Sequence, residues 1–376
     1  MAVVIIIFLA KGLLNPNNLS IFAATESATL PLRPANQGGS YTTKYHGKCR
    51  IKDNRTHLHP TRTAGESFFI NMSNQKPRTL EEQLSRLKNR GMEFHDEQLA
   101  KDYLSRISYF RLKYFWIDKI DEVSDDFKED VCFEDVIERY EFDKSLRQIL
   151  FDAIETLEVG LRTRIISTLS LTTGTGLWYL DNSLFENKDY HEDFVLDLKY
   201  EFGRSTDPFA RDFIRDNNWD EESLDGDNPD AWMIIETATF GTLSKMYKNL
   251  KAQSPLQSAI ANEFGLYSSK ELSSWLEAIS VLRNAVAHHS RLWYRIFAKK
   301  PVNIKGHRDK WLNQGMTDNQ RKRAFGVISC LLYLVNTLNP NNTLKEEILQ
   351  LFTNYPKVPV YMLGFTGDWK ENPIWK

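Results

Sequence analysis

From Leu80 onward, apolar residues recur every three or four positions, the period of an α-helix, and helix-boundary residues punctuate them. Thr79 followed by Glu82 is a capping-box pattern. Leu80, Leu84 and Leu87 follow at helical spacing, and Gly91 stands where that helix would stop. Asp96 is placed to cap a second helix whose apolar side carries Leu99, Tyr103 and Leu104, and the aromatic block Ile107–Trp116 is expected to pack on it. Beyond an acidic loop (Asp121 to Asp130) comes the longest periodic stretch, Phe133–Leu171. Its buried face is expected to hold Val136, Ile137, Tyr140, Leu146, Ile149, Leu150, Ala153, Ile154, Leu157, Leu161 and Ile165, with Gly174 and Gly176 at its end. A polar stretch, Asp216–Asp230, divides the chain. Helices are then expected over Trp232–Ala238, Thr242–Leu250, Leu256–Phe264, Lys270–Leu292 and Thr317–Leu338. In the fourth of these, Trp275, Ile279, Leu282 and Val286 form a core stripe. In the last, Val327–Val335 is apolar apart from Ser329, which suits a buried helix and is too short to span a membrane. The tail Tyr355–Lys376, aromatic and bearing Pro and Gly, is expected to wrap irregularly on the surface. No alternating strand runs and no internal repeat occur, so the fold class is all-α.

Residues 1–71 follow none of this pattern. The apolar run Ala2–Ala10 is too short for a membrane helix, and its positive charge, Lys11, follows it instead of preceding it as in a secretory signal. Asn15–Phe69 is rich in Asn, Thr, Ser, Gly and Pro. We expect residues 1–71 to lie outside the folded unit, as an over-extended start ahead of Met72, with a disordered basic leader as the alternative and a secretory signal as a third. The remaining divisions are an N-terminal helical segment at 72–130, a main helical domain at 131–354 and the tail at 355–376.

Charge alters the functional picture more than composition does. The formal net charge is −2, made of +5 in residues 1–71 and −7 in the rest, so no global basic field draws in nucleic acid and any such role needs a local site. Three cysteines without CxxC spacing exclude a disulfide scaffold and a cysteine-based zinc ribbon, and a reducing, cytoplasmic compartment is the expectation. Neither GxxxxGK[ST] nor GxGxxG, HExxH, GxSxG or an EF-hand loop occurs, so most hydrolase and cofactor chemistries lack support and no cofactor is expected.

One constellation carries chemistry: Arg283-Asn284-Ala285-Val286-Ala287-His288-His289. Asn284 and His288 are four residues apart and share a helix face, while Arg283 lies about 140° from His288 around the helix. A histidine can take the proton of a ribose 2′-OH or give one to a leaving oxygen. An arginine can neutralise charge on the phosphate, and the asparagine can orient the imidazole. Arg-to-His spacing of this kind occurs twice more, but Arg90 to His95 crosses Gly91 and Arg50 to His57 lies in the unpatterned leader. The competing reading is a solvated arginine and a histidine hydrogen-bonded in the core. His288 and His289 are poorly set to share a metal, because adjacent helical residues diverge by about 100°. Beyond the motif, Arg291, Arg295, Lys299, Lys300, Lys305, His307, Arg308 and Lys310 make the most basic stretch of an otherwise acidic body. With His289, Arg291 and Arg295 nearest the motif, it is equally consistent with RNA backbone contacts and with a solvated loop.

Five collinear blocks resemble the Abi-like family of bacterial abortive-infection proteins, of AbiD and AbiF type: Lys76–Gly91, Ile107–Trp116, Phe142–Ile165, Glu236–Leu250 and Ser274–Arg295. That resemblance implies membership of the HEPN superfamily, a HEPN-type helical bundle with additional helices, and an RxxxxH motif at Arg283 and His288 with Asn284 in the polar position. It also implies a metal-independent endoribonuclease leaving 2′,3′-cyclic phosphate and 5′-OH ends, assembled as a homodimer, in phage defence or as a toxin restrained by an antitoxin or inhibitory RNA. The chain departs from the family at Tyr294, where members often carry Asn. A non-catalytic RNA-binding or partner-binding helical module is the alternative, and a nucleotide-binding regulator a weaker third.

Overall fold

A computed structural model describes residues 76–221, 228–252, 254–304, 306 and 310–376. The chain divides into two units, Met1–Asn74 and Gln75–Lys376, and the described residues belong to the second. The expected leader and Met72 lie outside the described residues.

Those residues are all-α, with three isolated bridges and no strand among them. The elements are α1 (Leu80–Asn89), α2 (Glu97–Arg106), α3 (Tyr109–Leu112), α4 (Phe133–Thr173), α5 (Lys188–Arg204), α6 (Pro208–Asp216), α7 (Ala231–Ile234), α8 (Phe240–Asn249), α9 (Pro255–Glu263), α10 (Ser269–Ala287), α11 (Asp318–Arg321), α12 (Ala324–Leu338) and α13 (Leu344–Asn354). Local chemistry sets the first boundaries. Thr79 and Glu82 cap α1 reciprocally, and the Asp96 carboxylate accepts from Leu99 N at 2.9 Å to start α2.

The 41 residues of α4, about 60 Å of helix, run through the centre of the bundle. α9, α10, α12 and α13 all pack against it. Its expected face is buried, Leu146, Leu150, Leu157, Leu161 and Ile165 completely, except that Tyr140 and Ile149 are half-buried at its edge. Gly174, at φ +72°, ends the helix by entering the left-handed region. The α10 stripe Trp275, Ile279, Leu282 and Val286 is buried as expected, and so is every residue from Val327 to Val335. No helix among the described residues is long and apolar enough to cross a membrane.

Three features depart from the pattern. Residues 177–216, to which periodicity assigned no element, contain α5 and α6, which bury Phe194, Leu198, Phe202 and Ala210 together with the polar His191 and Lys199. The expected helix Thr317–Leu338 is two. Arg323 is extended, and a Cβ at Gly326 would stand 2.7 Å from Gln320 O and 2.9 Å from Arg321 Cα, so α11 folds back tightly over the first turn of α12. The tail is irregular but lies in the core. Leu363, Phe365, Trp369, Ile374 and Trp375 are buried, rings pack edge-on from Phe352 to Trp375, and Trp375 Nε1 donates to Ser329 Oγ at 3.3 Å.

Candidate functional site

α10 ends earlier than its hydrophobic pattern indicates. Its last helical residue is Ala287, His288 is the cap, and His289 turns into the left-handed region at φ +53°. Ser290 N donates to Ala285 O at 2.7 Å and His289 N to Val286 O at 3.0 Å, the paired bonds of a Schellman motif. α1, α6 and α9 end with the same pair of bonds, and there Gly91, Asn218 and Gly265 occupy the left-handed position. His289 is the one bulky side chain placed in that role among these four ends.

Tertiary contacts enforce the ending. The Arg111 guanidinium, from α3, donates to His289 O. Downstream, the buried Asp143 of α4 accepts from Leu292 N at 2.8 Å and Trp293 N at 2.7 Å through one oxygen, while Arg147 donates to the other. Burial pushes the Asp143 carboxyl above the usual carboxylate range, although Arg147 and the two amides favour its charge. Arg139, bonded to Asp118 and to Phe115 O at 2.8 Å each, stacks its guanidinium on Trp293 at 5.3 Å. The segment after the motif is thus fixed onto α4.

Three motif side chains sit at the surface of this end. Arg283 is half-buried, and its Nε lies 3.6 Å from Glu158 Oε2 on α4. Glu158 also accepts from Arg162 at 2.7 Å, and Arg162 in turn donates to Ala238 O at 2.9 Å, so a relay braced on α4 positions Arg283. Asn284 and His288 are exposed one turn apart and joined by the backbone bond His288 N to Asn284 O at 3.1 Å. The expected side-chain bond from Asn284 to the imidazole is not formed, and the His288 ring has no partner among the described residues. His288 therefore stands in solvent rather than in the core. His289 is exposed beside it.

The end of α10 forms a ridge between two depressions. On one side is a cavity of about 240 Å³ whose wall includes Arg283, Glu158 and Arg162. On the other is a groove of about 660 Å³ that gathers Arg106, Arg111, Lys144, Arg147 and His289 with no acidic residue in its lining. Val286, Ala287 and the exposed Phe151 belong to both walls. Sequence reading missed Arg106, Arg111, Lys144 and Arg147, because the groove draws its cations from α2, α3 and α4. Only Lys144 and Arg147, three apart on the long helix, left a local trace.

The basic stretch that sequence favoured is largely engaged elsewhere. Arg291 donates to Trp293 O and stacks on Tyr114 at 4.3 Å, and Arg295 stacks on Phe297 at 5.6 Å. Lys299 faces Glu277 at 3.5 Å and Lys300 faces Asp318 at 2.8 Å. Lys305, His307 and Arg308 lie outside the described residues. Tyr294 adopts φ +52° and receives Arg323 on its ring at 4.6 Å, so this backbone suits the Asn of the resembling family at least as well.

An all-α protein with a cation-lined groove and an arginine–asparagine–histidine helix end is the class that fold and site define. A family model described as Abi-like protein matches residues 102–294, which carry α4, the groove cations and the whole motif. The chain belongs to the Abi-like protein family, and membership points to abortive infection, a defence of bacteria against phage. No curated protein and no solved structure gives a significant match.

Proposed function

We propose that the protein is a HEPN-type endoribonuclease of the AbiD and AbiF kind, which cleaves RNA without a metal at the end of α10. The observation that carries this reading is an exposed His288 and a carboxylate-braced Arg283 on one helix end, with a basic groove on the other side of that end from the Arg283 cavity. The groove provides a track for a phosphate backbone, with Arg106, Arg111 and Lys144 as point contacts, while Arg147 is committed to Asp143. At the ridge the ribose 2′-oxygen attacks the adjacent phosphorus, forming the 2′,3′-cyclic phosphate as the bond to the 5′-oxygen breaks. One imidazole accepts the 2′-OH proton and a second protonates the departing 5′-oxygen. Arg283 offsets the charge that builds on the phosphoryl oxygens.

A single chain supplies one such histidine, so the reading includes a homodimer in which two ridges face one strand. Phe151 and Val159 support it: they lie eight residues apart on one face of α4, are 57% and 53% exposed, and flank the cavity of Arg283. An antitoxin or inhibitory RNA would then act by covering the groove.

The test is cleavage of RNA by the full chain in EDTA, with folding followed by circular dichroism and the new ends characterised chemically. His288→Ala and Arg283→Ala are each expected to slow cleavage by about 10²–10⁴-fold. Parental rates in both would remove the assignment. Retention of RNA without cleavage by the parent would leave the non-catalytic binding module.

A further inference from the structure

A second cluster lies away from the motif, where the connection between α1 and α2 meets the start of α4. His95 Nδ1 is 3.3 Å from Cys132 Sγ and 3.6 Å from Glu134 Oε2, and Cys132 Sγ is 2.5 Å from that same oxygen. Among the described residues, this is the only group of three His, Cys, Asp or Glu whose donor atoms all fall within 4.8 Å of one another.

The arrangement is built rather than accidental. Glu93 and Cys132 form a parallel bridge, in which Glu93 N donates to Val131 O and Phe133 N to Glu93 O, each at 2.9 Å. The rings of Phe94 and Phe133 stack at 5.4 Å on the same junction. Glu134 Oε1 accepts from His95 N at 3.1 Å and Asp96 N at 2.9 Å. The carboxylate is thereby held with its other oxygen turned toward the sulfur, in the way outer hydrogen bonds orient a metal ligand.

We propose that His95, Cys132 and Glu134 bind a divalent transition-metal ion of the zinc class, with the fourth position open to water. An imidazole, a thiolate and a carboxylate select such a borderline ion over magnesium or calcium, which prefer all-oxygen sets. With bonds of about 2.3 Å to sulfur and about 2.0 Å to nitrogen and oxygen, a tetrahedral site needs donor separations of roughly 3.3–3.6 Å. Both separations from His95 Nδ1 already meet this. The sulfur-to-oxygen distance must open by about 1 Å, which rotation of the Cys132 side chain supplies as the thiol proton leaves to water and the metal takes its place. The His95 side chain is 77% exposed, which leaves solvent access for the fourth ligand. Filled, the site clips the α1–α2 connection to the first turn of the helix that carries Asp143, Arg147 and Glu158.

The experiment is titration of the metal-stripped full chain with Co²⁺ alone, followed by competition with Zn²⁺. One equivalent is expected to give a thiolate-to-cobalt charge-transfer band in the near ultraviolet and tetrahedral ligand-field bands in the visible. Cys132→Ser is expected to abolish the charge-transfer band. His46, Cys49, His57 and His59, outside the described residues, are separate potential ligands, so the difference between parent and Cys132→Ser is the reading that counts. Because a change at the buried Cys132 can disturb folding, His95→Ala at the exposed position is the second arm. It is expected to keep the parental circular dichroism, to weaken Co²⁺ by about tenfold or more, and to lose the rise in Tm that Zn²⁺ gives the parent. Absence of the charge-transfer band in the parent, or its persistence in Cys132→Ser, overturns the site. So does a Zn²⁺-induced Tm rise in His95→Ala equal to that of the parent. None of these readings uses RNA, so they stand or fall apart from the ribonuclease assignment.

Discussion

Replacing Asp143 separates two contributions that the structure has fused. The carboxylate accepts two backbone amides of the segment following the motif and pairs with Arg147, with almost none of its surface exposed. If the ion pair were the dominant stabilising term, Asp143→Asn would cost about 3–5 kcal/mol, as broken buried pairs do. The raised proton affinity of Asp143 argues otherwise. Desolvation outweighs the attraction of Arg147 and the amides, so ionisation at this site contributes little net stability. The carboxamide of Asp143→Asn would retain an oxygen for Leu292 N and Trp293 N, and we expect that change to cost under about 2 kcal/mol. Asp143→Ala removes that acceptor and leaves two buried amides unpaired at about 1–3 kcal/mol each, a large part of a typical stability of about 5–15 kcal/mol. Thermal and urea unfolding of both variants measures the gap, and a Tm loss of about 10 °C or more is expected for Asp143→Ala. The sign with pH is also fixed. A carboxyl raised in the folded state contributes stability that is fully present below its ordinary range and lost as pH rises through the raised value. The Tm advantage of the parent over Asp143→Asn should therefore shrink from pH 4 to pH 8. An advantage that grows over that interval, or an Asn variant as damaged as the Ala variant, would refute the reasoning.

Three further outcomes follow from the site and its support. His289→Gly relieves a left-handed backbone and is expected to raise Tm by about 2–4 °C while lowering RNA cleavage, whereas a fall in Tm would contradict the strain. Glu158→Gln withdraws the charge that braces Arg283, and about tenfold slower cleavage with an unchanged unfolding midpoint is expected; an unchanged rate would show that Arg283 needs no brace. Gly326→Ala drives a methyl into the backbone of Gln320 and Arg321 and should cost about 1–3 kcal/mol in urea unfolding without changing the Kd for RNA, if α11 folds back as described.

Helix boundaries written in local chemistry were legible, and boundaries imposed from a distance were not. Thr79, Glu82, Gly91, Asp96 and Gly174 act as read, because a cap or a left-handed glycine needs only its own helix. The end of α10 carries no such mark: His289-Ser290-Arg291-Leu292 contains neither Gly nor Pro, and the apolar residues at 292 and 293 continue a plausible period. What stops the helix is Arg111 on His289 O and Asp143 on the amides of Leu292 and Trp293, contacts 178 and about 150 residues away in the chain. Arg283, Asn284 and His288 were legible as a cluster because they are local. The groove was not, because its cations come from three elements. Arg90 to His95 shows the converse. As an arginine–histidine spacing it signals nothing, and the residues His95 contacts lie 37 and 39 residues onward.

The placement of the motif also poses an electrostatic problem that the surrounding residues answer. A helix C-terminus presents carbonyl oxygens equivalent to about half a negative charge, the wrong polarity for a phosphodiester. An anion brought to His288 meets that field unless cations outnumber it. Arg111 binds His289 O just past that end, and Arg106 and His289 line the groove beside it; Lys144 and Arg147 line it too, but Lys144 faces Glu141 at 3.1 Å and Arg147 is held by Asp143. Arg283 pairs with Glu158 at 3.6 Å, and Glu158 also accepts from Arg162 at 2.7 Å. A helix N-terminus would attract phosphate more simply. A C-terminus needs added cations to admit an anionic ligand, which is what Arg106 and Arg111 supply beside this ridge.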